Sequence, residues 1–227
     1  MFEKMWEILR NSDSLLDEAW RDSRAMLVQC RAMYELVIPA LTMETSERVL
    51  AQVAQMDREL NDKQREVRKK VFQHLALSRG SDILRGLELA GIVIDLERIG
   101  DYTKNIGELT SLLRQPMIFD GYQEPFDKVH ELVTEMFELA NEAIASRSKE
   151  KAKATMDLYP QVSRLCDDSL RAVIERSFES NEGSINRSHL GLVLLLRYLK
   201  RVAAHLKNAC SALVNPFHQI GFRDGLP

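Results

Sequence analysis

The chain has 227 residues and a formal charge of −3, with 45% hydrophobic residues, 7% aromatic residues, ten glycines and six prolines, a composition typical of helical proteins large enough to bury a core. Its slightly acidic balance gives no basis for nucleic-acid binding, and Cys30, Cys166 and Cys210 lie too far apart for a Cys-x-x-Cys knuckle or a disulfide framework. The opening residues lack a signal-peptide pattern and the longest apolar run, Leu190 to Leu196, falls far short of a span of about 20 residues, so a cytoplasmic, reducing location is expected.

In chain order, Ser12 or Ser14 is a candidate cap for a first long helix reaching Leu41, with Leu15, Ala19, Met26, Cys30, Met33 and Val37 forming its core-facing stripe. Ahead of it, Phe2, Met5, Trp6 and Leu9 make a short apolar stripe expected to pack on the bundle. Thr45 or Ser46 caps a second helix that runs to the neighbourhood of Gly80 along Leu50, Val53, Leu60, Val67, Val71 and Leu75. Ser81 opens a third, which ends near Arg114 ahead of Pro116. The breakers in residues 115–124 mark a linker. Three further helices follow, at 125–146, 149–180 and 184–214; Pro160 is expected to kink the middle one or mark its true start, and the tail beyond Asn215 is expected to be irregular.

The two halves resemble each other. At an offset of 103, Leu96–Ile106 (LERIGDYTKNI) aligns with Leu199–Ala209 (LKRVAAHLKNA), sharing leucine, arginine, lysine and asparagine, while Ser81, Leu87 and Leu89 match Ser184, Leu190 and Leu192. An internal duplication follows: an all-α chain of two tandem three-helix bundles, residues 12–114 and 125–215.

The third helix carries the unusual chemistry. Four residues advance an α-helix by about 400°, so Glu97, Asp101 and Asn105 share one stripe of an otherwise apolar helix. Like charges at this spacing repel, and a bound cation would remove the penalty. Asp57 and Asn61 form a second such line on helix two, with Glu66 further along, and an antiparallel seam would set Asp57 and Asn61 opposite Glu97 and Asp101. Oxygen donors without sulfur or imidazole suit Fe, Mn, Mg or Ca rather than structural zinc. The competing reading is an ordinary ion-pair network with the neighbouring Arg98 and Lys104. Gly86, Gly91, Gly100 and Gly107 on the same helix each cost about 1 kcal/mol against alanine, which points to close approach by another helix or a ligand.

Other chemistries find little support. No Glu-x-x-His pair of a di-iron oxidase, P-loop, dinucleotide fingerprint or nucleophile elbow is present. His74, His130, His189, His205 and His218 read as core or surface histidines. The basic run Lys63 to Lys70 is a candidate contact for an acidic partner or anionic headgroups, weighed against a solvated helix face.

LERIGDYTKNIGE, within the third helix of a duplicated unit, resembles the signature helix of the PhoU family. The resemblance extends over nearly the whole chain. It implies a non-enzymatic regulator of phosphate transport, cytoplasmic or peripheral at the inner face of the cell membrane. Such a protein docks on a membrane phosphate transporter and/or a sensor histidine kinase, restrains uptake or phosphate-response gene expression, and leaves room for a homodimer. It also implies metal ligation by Glu97 and Asp101, with Asp57, Asn61 and Asn105 as further candidates. The second repeat departs from the family pattern: Lys200 and Ala204 stand where the glutamate and aspartate would be, although Asn208 remains, so a second metal site is not expected. Lys200 is expected to pair with an acidic residue or a partner. The alternatives are a di-metal helical enzyme and a metal-free adaptor of another phosphate permease.

Overall fold

The computed structural model describes residues 2–43, 47–78, 82–119, 121–179 and 187–222, with side chains from residue 15 onward. The helices are α1 (Phe2–Ala40), α2 (Glu47–Leu77), α3 (Ile83–Leu113), α4 (Gln123–Ser146), α5 (Lys149–Glu179) and α6 (Arg187–Val214). Helices α1–α3 pack on one another as one bundle and α4–α6 as a second. The stripes read from the sequence face inward: Met26, Cys30, Met33 and Val37 of α1 and Val53, Leu60 and Val67 of α2 are fully buried.

The bundles are joined through their third helices. Helices α3 and α6 pack against each other, and contacts pairing Asp95 with His205, Tyr102 with Tyr198 and Leu113 with Gly191 run in opposite chain directions, so the two helices are antiparallel. At the 103-residue offset, the Asp95–His205 and Tyr198–Tyr102 contacts are equivalent, as a pseudo-two-fold axis requires. The consequence for α3 is burial on most sides, by α1, α2 and α6 together. That explains an apolar helix with no clear polar face.

Three expectations need correction. Helix α1 begins at Phe2 rather than at Ser12 or Ser14, because nothing in residues 2–14 breaks the helical period; the side chains of Phe2, Met5, Trp6 and Leu9 lie outside the described ones. Pro160 does not mark the start of α5, which runs through it from Lys149; one lost backbone hydrogen bond is offset by burial of residues such as Ala152, Met156 and Val162 against the rest of the bundle. The described part of the tail, to residue 222, is also not wholly irregular: Phe217–Gln219 forms a 3-10 turn, and Asn215 Nδ2 donates to the carbonyls of Gln219 (3.1 Å) and Phe222 (2.8 Å). The candidate caps Thr45, Ser46 and Ser81, and Ser184, lie outside the described residues.

Three of the α3 glycines answer to helix packing. A Cβ at Gly100 would run into Leu60 of α2, one at Gly107 would meet Val37 at 3.0 Å, and one at Gly86 would meet Leu75 at 3.0 Å, whereas Gly91 faces only Ile220 at 3.8 Å. Close approach of α2 to α3 at Gly100 brings the polar residues of the seam together.

Candidate functional site

Helices α2 and α3 bring their acidic lines onto one seam. Asp57 is 7% exposed, and the side chains of Glu97 and Asp101 are 15% and 27% exposed, so the carboxylates are neither core residues nor splayed into water. Burial pushes the Glu97 carboxyl above its ordinary value, and the charges of Asp101 and Asp57 push the same way against Arg98 and Arg68.

The cation that compensates this acidity belongs to the chain. Lys104 Nζ donates to Asp57 Oδ2 at 2.8 Å and stands 3.8 Å from Asp101 Oδ1, so one ammonium bridges the two helices. Burial opposes its charged form, but the hydrogen bond to Asp57 and the charges of Asp57, Asp101 and Glu108 outweigh that and leave the Lys104 pKa raised. Arg98 closes the outer side, with Nη1 2.9 Å from Asp101 Oδ2 and Nε 3.4 Å from Glu97 Oε2. Asn61 and Asn105 are half-buried on the same helices and make no hydrogen bond to these carboxylates among the described residues; Glu66 is exposed and pairs with Lys69 at 4.0 Å.

Oxygen donors of this kind suit a hard cation. However, among the described residues no three His, Cys, Asp or Glu side chains stand close enough to hold a metal ion, and Lys104 occupies the place between Asp57 and Asp101. As arranged, the face does not fit a metal.

The equivalent seam of the second repeat is built differently. Lys200 Nζ contacts both carboxylate oxygens of Asp167 on α5, at 2.7 and 2.6 Å, which meets the expectation of an acidic partner. Between the repeats, His205 Nδ1 donates to Asp95 Oδ1 at 2.8 Å and its ring stacks on Tyr102, to which Arg201 donates at 3.1 Å. Sequence reasoning missed this cluster because its members are far apart in the chain. The other histidines are core or surface residues: His74 is buried, His130 bonds Tyr34 and the buried His189 bonds Ser177, while His218 is exposed.

Burial pushes Cys166 and Cys210 up to about 12 and raises Cys30 as well, so none of the three is a reactive thiolate. The basic run is largely paired within the chain: Lys70 with Asp22 (2.7 Å) and Glu18 (3.3 Å), Lys63 with Gln29, and Arg65 with Asp62.

The family model of the PhoU domain matches the chain twice, over residues 23–110 and 126–213, so the two matches are themselves offset by 103 residues. The chain belongs to the PhoU family. Among PhoU relatives, the phosphate-specific transport system accessory protein PhoU homolog of Zymomonas mobilis is 23% identical over 201 residues, covering 85% of this chain and 82% of that protein. The PhoU homolog 1 of Thermotoga maritima is 28% identical over 185 residues, covering 76% and 75%. The crystal structure of the phosphate transport system regulatory protein PhoU from Streptococcus pneumoniae superposes with a TM-score of 0.78 at 19% identity, covering 89% of this chain and 95% of that one. PhoU from Pseudomonas aeruginosa gives 0.72 at 21% identity, covering 94% and 97%. Among the described residues no helix is long and apolar enough to cross a membrane.

Proposed function

We propose that this chain is a non-enzymatic accessory regulator of phosphate transport. It docks from the cytoplasmic side on a membrane phosphate transporter and/or a sensor histidine kinase, and restrains phosphate uptake or phosphate-response gene expression. The observation that carries this reading is the pair of PhoU repeats spanning most of the chain, together with relatives named as accessory proteins of phosphate-specific transport. The absence of an oxidase-type Glu-x-x-His pair supports a role in binding rather than turnover.

In the test, cross-linked membranes from phosphate-replete cells yield a transporter or kinase with the tagged chain, and deleting the chain releases uptake from restraint. Uptake and reporter expression that ignore the deletion, with no such partner recovered, would sink the reading.

Metal loading is part of the same proposal: a hard divalent ion at Asp57, Glu97 and Asp101, with Asn61 and Asn105 nearby, is the state in which Lys104 has been displaced. Elemental analysis after equilibration with manganese then finds more metal on Lys104→Ala than on the unaltered chain. Equal, negligible content in both leaves the metal-free adaptor.

A further inference from the structure

A second polar assembly lies where α1, the start of α3, the α4–α5 turn and the end of α6 meet. There a cavity of about 440 Å³ is lined by Trp20, Arg85, Glu88, Arg147, Lys149 and Asn215, and its remaining wall is made of Leu, Val and Pro side chains. Three cations and one carboxylate, Glu88, line it, and Asp17 and Asp82 meet two of the cations from outside. They are also held in place: the Arg147 guanidinium stacks on Trp20 at 4.6 Å and donates to Asp17 Oδ1 at 3.2 Å, while Arg85 approaches the same oxygen at 3.6 Å and Asp82 at 3.7 Å. The two guanidinium groups therefore converge without needing a ligand to order them.

Asn215 anchors the tail at the edge of this cavity. Asn215 is 4% exposed; both hydrogen bonds of its Nδ2 go to tail carbonyls, which fixes the amide's orientation, and its buried Oδ1 has no hydrogen-bond partner. Burial also pushes the Glu88 carboxyl upward, against the pull of Arg85, Lys149 and Arg147.

We propose that this cavity binds a hydrogen-phosphate group, free or carried on a small organic alcohol, with its charged oxygens on Arg85, Arg147 and Lys149 and an O–H donated to Glu88. The combination is selective. Sulfate at neutral pH offers charge to the cations but no donor, and a neutral alcohol offers the donor but no charge. Because the walls come from both repeats and from the residue that holds the tail, an occupant ties all three together. The cavity's Glu88 lies about 13 Å from Glu97 along α3, so the two acidic positions are read by separate variants.

The test is isothermal titration of the full chain with inorganic phosphate, glycerol 3-phosphate and sulfate at matched ionic strength. Phosphate or its ester binds saturably with a Kd of about 1 mM or tighter, and sulfate roughly ten-fold more weakly or not at all. Tighter binding of the ester identifies an organic ligand; equal or weaker binding identifies the free ion. Arg85→Gln and Lys149→Gln, both at exposed positions where the fold is kept, each weaken binding by roughly ten-fold. Sulfate bound as tightly as phosphate, undiminished binding in both variants, or no saturable binding at all overturns the proposal.

Discussion

The same lysine occupies both seams of the duplicated molecule, and it does different things in each. In the first repeat Lys104 neutralises Asp57 and Asp101 across the α2–α3 contact. Its equivalent in the second, Lys207, lies over the ring of Tyr159 and donates to the carbonyl of Gly221, while Lys200 takes up the acidic partner Asp167. One seam keeps an excess of carboxylates and borrows a cation from the next turn of α3. The other exchanges a carboxylate for a lysine and settles its charge with a single exposed aspartate. The contrast shows that the fold does not demand a particular sign at a particular position of the seam. The acidic excess of the first repeat is thus a feature that packing alone does not require.

Breaking the two balances separately gives the largest expected difference. Lys104→Met leaves Asp57 charged and nearly buried, and is expected to cost about 2–3 kcal/mol in urea unfolding. Lys200→Met frees an Asp167 side chain that is 52% exposed and readily rehydrated. It is expected to cost less than about 1 kcal/mol. Equal costs would mean that the seams do not differ in the way described.

The glycine at the helix crossing sharpens the comparison. Gly100→Ala pushes against Leu60 and is expected to cost about 1–2 kcal/mol in spite of the gain in helix propensity. The second repeat already carries a buried alanine at the matching position, Ala203, so Ala203→Gly is expected to lose about 1 kcal/mol, mainly from propensity. Gly91→Ala, which has room, is expected to stabilise by about 0.5–1 kcal/mol; thermal unfolding reads all three.

The smallest effect is electrostatic. A glutamate whose pKa is raised on folding holds its proton more tightly in the folded chain, so its contribution to stability falls as pH rises from the ordinary value of 4.5 through the raised one. Glu97→Gln is therefore expected to stabilise the chain by a few tenths of a kcal/mol, about the size of an i,i+4 repulsion, at pH 7 and to give no advantage below the ordinary carboxylate range. A pH series of urea midpoints checks the sign.

Much of this was legible in the sequence where the signal is local. The helical periods, the 103-residue offset and the acidic line Glu97–Asp101 are properties of neighbouring residues, and the convergence of that line with Asp57 followed from the expectation of an antiparallel seam. Lys104 was visible as a neighbour, but spacing on one helix does not show whether an ammonium points to solvent or across to α2. Helix α1's true start was illegible because serines that resemble caps also sit comfortably inside a helix. The packing of α3 on α6 was illegible for a different reason: amphipathic stripes say that a face is buried, not what buries it. The Arg85, Arg147, Lys149 and Asn215 assembly draws on separate segments of the chain, none of which carries a motif.

The antiparallel pairing of α3 with α6 also sets what holds the halves as one object. The pairing rests on the apolar flanks of two central helices and on the polar group around Asp95 and His205, and at its end Met117 of the connecting segment packs against Gly191 of α6. A cut in the connecting segment would therefore leave two fragments that stay associated, and any tilt of one half would reach the other through a rigid spine rather than through a tether.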